Sequence, residues 1–277
     1  MATHTPEAGV LTIHGVQLEV FDCGQGRPML VLHEEDGLTL RAPFLSSLAV
    51  YGRVIAPAHP GFGHSPDSAW IDTVDDLSYL YLDLFAELNL RDVVVVGCSL
   101  GGWIAAEMAV KSTERIAKLI LVAPIGIKVG DRETRDIPDI FALSPAEVTR
   151  LKYHDPTRAA VDYPTLSDDE LTVIARNREA TALYAWEPYF HNPKLRQRLR
   201  RIHIPTLLLW GASDRFVTPG YYGAAYQKAI PGATLEIVDE AGHLPHIEQP
   251  EACVERVRAF LGRETEDGRR ETEEKMH

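Results

Sequence analysis

Apolar residues in this chain follow two rhythms. Short unbroken runs, Met29-Leu-Val-Leu-His33, Asp92-Val-Val-Val-Val-Gly97, Lys118-Leu-Ile-Leu-Val122 and Thr206-Leu-Leu-Leu-Trp210, are bounded by glycine, proline or charge. Runs this short and this rich in β-branched residues and leucine predict strands buried on both faces. Arg53-Val-Ile-Ala-Pro57 and Thr234-Leu-Glu-Ile-Val238 are weaker versions, and Val10–His14 and Val16–Val20 flank Gly15 as two strands about a tight turn. The other rhythm is helical. Leu77, Leu80, Tyr81, Leu84 and Leu88 form one apolar face behind Thr73, a candidate N-cap, with Asp75 and Asp76 at the positive end of the helix dipole. Gly102–Lys111 turns Ile104, Ala105, Met108 and Ala109 inward, and Pro250–Leu261 opens with proline in its first turn.

Strands alternating with helices predict an α/β fold, a mostly parallel sheet with helices on both faces. Residues 10–125 and 202–262 carry this pattern and are read as the core. Residues 126–201 carry no strand pattern, but Ser167 and Glu170 have capping-box spacing. A stretch of that length is too long for a plain connection, so a helical cap over the strand ends is expected. Residues 263–277 are charged and aperiodic, and are expected to be disordered. In such sheets sites lie outside the carboxyl ends of the strands.

Composition narrows the function. The 277 residues are 45% hydrophobic and 25% charged, within reach of one large domain. A net charge of −12 opposes binding to nucleic acid or an anionic membrane surface, and no apolar run reaches the roughly 18 residues of a membrane span. Met1–Val10 has neither a basic nor an apolar leader segment, and the 3 cysteines are scattered, so a cytoplasmic protein with reduced thiols is expected. No CxxC or HExxH spacing is present; neither metal nor cofactor is expected. The expected partner is a small molecule, and oligomeric state has no signature.

The chemistry begins at Gly97-Cys98-Ser99-Leu100-Gly101, followed by Gly102. This G-x-S-x-G follows a valine-rich strand and opens a helix, the context a nucleophile elbow requires. Small residues two before and two after the serine let the flanking backbones approach. The hydroxyl is then exposed beside the positive end of the helix, with the Leu100 N–H aimed at a developing oxyanion.

On these residues, from about Val10 to Leu261, the chain resembles the α/β-hydrolase superfamily. The resemblance implies the order nucleophile, acid, histidine. The acid is then Asp214, in Trp210-Gly-Ala-Ser-Asp214, with Asp239 and Glu240 as competitors beside the histidine. The base is His243, in Ala241-Gly242-His243, followed by Glu248 and Pro250 at the family's spacing; His246 is its rival. Serine is a weak nucleophile at neutral pH, so an imidazole must take its proton, and a carboxylate must fix the imidazole's tautomer.

One loop departs from the family. The superfamily's second oxyanion donor often lies in His-Gly-x, whereas this chain reads His33-Glu34-Glu35-Asp36-Gly37. The N–H of Glu35 is expected to donate while the acidic side chains face water; alternatively an acid such as Glu34 recognises a cationic or hydroxylated substrate group. Trp103, Phe141, Trp186, Tyr189 and Phe190 are the aromatic candidates for a substrate pocket, with Leu38 a further one. The default reaction is hydrolysis of a small carboxylic ester, or related acyl substrate, through an acyl-enzyme. The alternatives are a carbon–carbon bond hydrolase of vinylogous diketones and a non-catalytic binding relative. The family's carbon–carbon hydrolases typically carry Asn before the serine and Trp after the histidine, where this chain has Cys98 and Leu244.

Overall fold

The structure is a computed structural model and describes residues 8–38, 43–159 and 161–262; the tail 263–277 lies outside them. The strands are β1 (Ala8–Ile13), β2 (Val16–Cys23), β3 (Pro28–Leu32), β4 (Arg53–Pro57), β5 (Val93–Cys98), β6 (Ile116–Val122), β7 (Thr206–Gly211) and β8 (Thr234–Val238). They form one sheet in the order β1-β2-β4-β3-β5-β6-β7-β8. β1 pairs antiparallel with β2, and β2 with β4; every later pairing is parallel. The helices are α1 (Pro43–Leu48), α2 (Val74–Glu87), α3 (Leu100–Lys111), α4 (Pro145–Lys152), α5 (Asp168–Ala185), α6 (Leu195–Arg198), α7 (Ala224–Ala229), α8 (Pro245–Glu248) and α9 (Pro250–Gly262).

The unbroken apolar runs are explained by two apolar layers. Alternate residues of β5 go to opposite faces: Val93 and Val95 pack with α2 and α3, while Val94, Val96 and Cys98 pack with α1 and α9. Positions 29–32, 93–98, 119–122 and 207–210 are all buried, so none of these runs alternates with polar residues. Thr73 caps α2 as expected, in a reciprocal capping box with Asp76. Ser167 and Glu170 do the same for α5, and Ser144 and Glu147 for α4.

Between β6 and β7 the described residues hold helices and a single isolated bridge, Gly126 to His191. This excursion lies across the loops at the carboxyl ends of β3 and β4. Arg176 donates to the carbonyls of Gly63 and Ser65, Asn177 Nδ2 to that of Asp36, Thr181 Oγ1 to that of Glu35, and Tyr184 to that of Pro60. Among the described residues no helix is long and apolar enough to cross a membrane.

Candidate active site

β5 delivers Ser99 to the start of α3 in a backbone conformation of φ 46° and ψ −107°. This left-handed region is unfavourable for a side-chain-bearing residue and persists only where the surroundings enforce it. The enforcement is close packing. A Cβ on Gly101 would lie 2.2 Å from the Leu32 carbonyl oxygen, and one on Gly97 would lie 2.4 Å from that of Gly101. The elbow therefore presses directly against the end of β3, where Gly101 N–H donates to His33 O at 2.9 Å.

Two later strand ends complete a hydrogen-bonded line. Ser99 Oγ is 2.7 Å from His243 Nε2, and His243 Nδ1 is 2.9 Å from Asp214 Oδ2. All three residues are buried. Asp214 is held from four directions besides: Phe216 and Val217 N–H donate to Oδ1, Trp210 Nε1–H donates to Oδ2, and the Asp214 N–H reaches back to Gly211 O. A carboxylate so fully satisfied is fixed in orientation and keeps the proton of neutral His243 on Nδ1, leaving Nε2 free to accept from serine. The Phe216 ring stands edge-on to His243, with centroids 4.8 Å apart. Asp239 and Glu240, the competing acids, are exposed.

The His243 turn is also tied from beneath. Glu248 accepts Gly242 N–H at 2.6 Å and the N–H groups of His154 and Asp155 at 3.0 and 3.1 Å. One carboxylate thus joins the turn bearing the imidazole to the segment that follows α4.

The loop after β3 is where the structure corrects the expectation of solvated acids. Glu34 and Glu35 are both buried, at 6% and 2% exposure. His33 sets their directions: its ring takes His59 N–H on Nε2 at 2.9 Å and bonds Glu34 O through Nδ1 at 2.6 Å. Burial keeps this imidazole neutral, with its pKa pushed down to about 4. Glu34 lines a small apolar recess with Val31, Leu38 and Phe44. It points to the opposite face of the sheet and pairs with His246 at 3.3 Å beside Cys98. Burial opposes charge on both partners, yet His246 holds Glu34 below the usual carboxylate range, and Cys98 and Glu34 together hold His246 above the usual imidazole range. Among the described residues this trio is the one set of donors spaced for a metal, with donor atoms within 4.8 Å of one another. An imidazolium cannot act as a ligand, so the ion pair competes with that use.

Glu35 turns the other way, toward Ser99. Its Oε1 lies 2.7 Å from Lys152 Nζ, which also meets Asp36 Oδ2 at 2.6 Å. Burial alone would raise the Glu35 pKa; the Lys152 ammonium, with His243 and Ser99 nearby, carries it down to about 2. Lys152 stays charged in turn, because Asp36 and Glu35 outweigh its burial. No sequence signal marked Lys152, whose partners lie in a distant loop; only the clustered acids hinted that a cation had to come from elsewhere.

A cavity of about 280 Å³ opens above Glu35, walled by Phe141, Val148, Lys152, Ile174, Asn177 and neighbouring residues of α4 and α5. Of the aromatic candidates, only Phe141 lines it. Trp186 and Tyr189 line a separate polar recess with Lys128, Arg135 and Asp136. Trp103 and Phe190 are buried in the apolar core: the Trp103 ring closes over Gly126 and hydrogen-bonds Glu107, and Phe190 stands edge-on to Phe216. Neither ring lines the cavity, although Phe190 stacks behind Phe141 with centroids 6.5 Å apart. Leu38 lies with Glu34 and His246 on the opposite face.

Comparison with known proteins agrees with this architecture. Residues 29–256 match the model of the Alpha/beta hydrolase family. The chain is 27% identical to "Carboxylesterase YbfK" of Bacillus subtilis, over 70% of this chain and 66% of that one. It is likewise 27% identical to "2-hydroxy-6-oxo-2,4-heptadienoate hydrolase" of Pseudomonas putida, over 90% and 94%. Among solved structures, a variant of the meta-cleavage product hydrolase CumD superposes with a TM-score of 0.73 at 20% identity, covering 92% of this chain and 98% of that one. The carboxylesterase CesB (YbfK) of Bacillus subtilis superposes at 0.71 and 22% identity, covering 94% and 93%. With the family model matched across most of its length, this chain belongs to the Alpha/beta hydrolase family.

Proposed function

We propose that the protein is a serine hydrolase that cleaves a small carboxylic ester, or a related acyl substrate, through an acyl-enzyme. The observation that carries this reading is the line from Ser99 Oγ through His243 to Asp214, at 2.7 and 2.9 Å. In this mechanism His243 Nε2 takes the hydroxyl proton as Ser99 Oγ attacks the acyl carbon, and Asp214 stabilises the resulting imidazolium. The tetrahedral oxyanion is met by the N–H of Leu100, at the N-terminus of α3, and by the N–H of Glu35. His243 returns its proton to the departing alcohol. Water, deprotonated by the same ring, then releases the acid and restores Ser99. Residues 126–201 act as the cap that encloses the acyl chain, with Phe141 in its wall.

Carbon–carbon bond hydrolysis is the second reading, supported by the dienoate hydrolase among the relatives. Both readings use Ser99 and His243. A panel of p-nitrophenyl esters of graded acyl length, with a vinylogous diketone alongside, separates them. We expect ester turnover in the wild type and its loss, by at least about 10³-fold, in Ser99→Ala. Turnover of the diketone with every ester inert reverses the order of the two readings. Ester turnover that survives in Ser99→Ala removes Ser99 as nucleophile.

A further inference from the structure

On the face of the sheet opposite the large cavity, three side chains with metal-ligating chemistry meet. Glu34, Cys98 and His246 are each more than nine-tenths buried, and one donor atom from each lies within 4.8 Å of the others. Apolar side chains surround them, among them Val31, Leu38 and Phe44. The protein alone does not complete this cluster. His246 Nε2 and Glu34 Oε2 stand 3.3 Å apart, against about 2.7–2.9 Å for a good charged hydrogen bond. His246 Nδ1 is buried and has no hydrogen-bond partner. Beside the three lies a recess of about 20 Å³, room for one water.

A zinc ion holds nitrogen and oxygen at about 2.0–2.2 Å and sulfur at about 2.3 Å in a tetrahedron, which sets its donors about 3.3–3.6 Å apart. The 3.3 Å between Nε2 and Oε2 is already one edge of that figure. The Cys98 thiol, within 4.8 Å, has to close by about 1 Å at most. A water in the recess supplies the fourth corner. Thiolate, imidazole and carboxylate together suit zinc better than magnesium or calcium, which prefer oxygen alone. Charge balances as well. On binding, the thiol and the imidazolium each release a proton to water, and one thiolate with one carboxylate neutralises the two charges of the ion. The filled site is then uncharged overall in its apolar layer, and the ion takes the place of the proton now held between Nε2 and Oε2.

We propose that Glu34, Cys98 and His246 form a zinc-binding site on the reverse of the active centre. Each ligand sits beside a residue of the candidate machinery: Glu34 precedes Glu35, Cys98 precedes Ser99, and His246 follows His243 by three residues. The ion therefore fastens the loop after β3, the elbow and the turn into α8 to one another from behind. Its ligands come from three distant parts of the chain, so no local spacing such as CxxC signals the site. The site stands whether Ser99 cleaves an ester or a carbon–carbon bond.

The test uses the full chain, stripped with a chelator and titrated with cobalt(II) chloride as a spectroscopic stand-in for zinc. In the wild type we expect one equivalent to bind, with a thiolate-to-cobalt charge-transfer band in the near ultraviolet and the intense visible bands of a tetrahedral ion. Zinc chloride is expected to displace the cobalt. Saturating zinc is expected to raise the thermal midpoint by about 5 °C, because the ion binds only the folded arrangement. Cys98→Ala and His246→Gln are each expected to abolish the band and the rise. The double change Cys23→Ala with Cys253→Ala, which leaves Cys98 as the one thiol, is expected to keep both. Should the Cys98 or His246 variant fail to fold, X-ray absorption at the zinc edge of the wild type decides: one sulfur at about 2.3 Å with nitrogen and oxygen at about 2.0 Å supports the site. A wild type without the thiolate band, or with a midpoint unmoved at saturation, overturns the proposal. So does a band that survives Cys98→Ala, or a zinc edge without sulfur.

Discussion

Ser99 keeps its left-handed backbone because nothing larger than hydrogen fits at Gly97 and Gly101, and the same fit brings its hydroxyl within reach of His243. Gly101→Ala should therefore cost about 1–3 kcal/mol, as overpacked sites do, and lower turnover by moving the elbow from β3. Gly220→Ala, where an added Cβ meets nothing, should do neither. Urea denaturation of the two variants checks this; equal stabilities would remove the packing account of the elbow. Asp214→Asn should lower kcat by about 10⁴-fold, because an amide no longer fixes the His243 tautomer, while exposed Asp239→Asn leaves the rate unchanged. An inverse result moves the acid to Asp239. Ser99, Asp214 and His243 were legible in the sequence because each sits in a local pattern of strand, glycine and functional residue. Glu35 and Lys152 were not, because nothing local tells a loop acid that it will be buried. That outcome depends on His33 turning the loop and on a lysine from α4 arriving above it.

At the scale of elements, the strands and the capped helices α2 and α5 declared themselves, through short apolar runs bounded by turn residues and through their cap residues, whereas the equally capped α4 was not read. Missed were α1, α7 and α8, of six, six and four residues, too short for a periodic face to show. The surroundings of the aromatic side chains between β6 and β7 were equally hidden, because Phe141, Trp186, Tyr189 and Phe190 lie in turns, where no periodicity marks a buried face. The joint between these elements is Glu248. Its three main-chain donors lie on two segments, so Glu248→Gln should loosen both at once. Exchange of a charged acceptor for an amide is expected to cost about 2–3 kcal/mol in stability and to reduce kcat more than it changes KM. A stable variant with unaltered kcat would show that the His243 turn holds itself.

The whole molecule has an acid limit that follows from its buried ionisable groups. His33 has a folded pKa of about 4, below the roughly 6.5 of an unfolded histidine, so the folded chain binds fewer protons. Its contribution is complete above pH 6.5 and fades as pH falls toward 4. Glu35, held at about 2, adds a second loss that begins near pH 4.5. Stability should fall by about 2–3 kcal/mol from His33 alone between pH 7 and 4.5. Denaturation curves across that interval check it, and a flat profile would mean that His33 is protonated in the fold. On the side of the sheet where the strands end, the excursion between β6 and β7 leaves and returns through one pinch. Gly126 N–H donates to Phe190 O, and Asn192 N–H donates to Gly126 O. The chain's way out and way back are thus one hydrogen bond apart, and whatever lies between them is, to the sheet, a closed ring. Insertions, deletions or a graft from another member of the family can change that ring's length at little entropic cost. The stretch around Lys152 is the exception within that ring, because Glu248 binds the residues that follow it to the turn carrying His243.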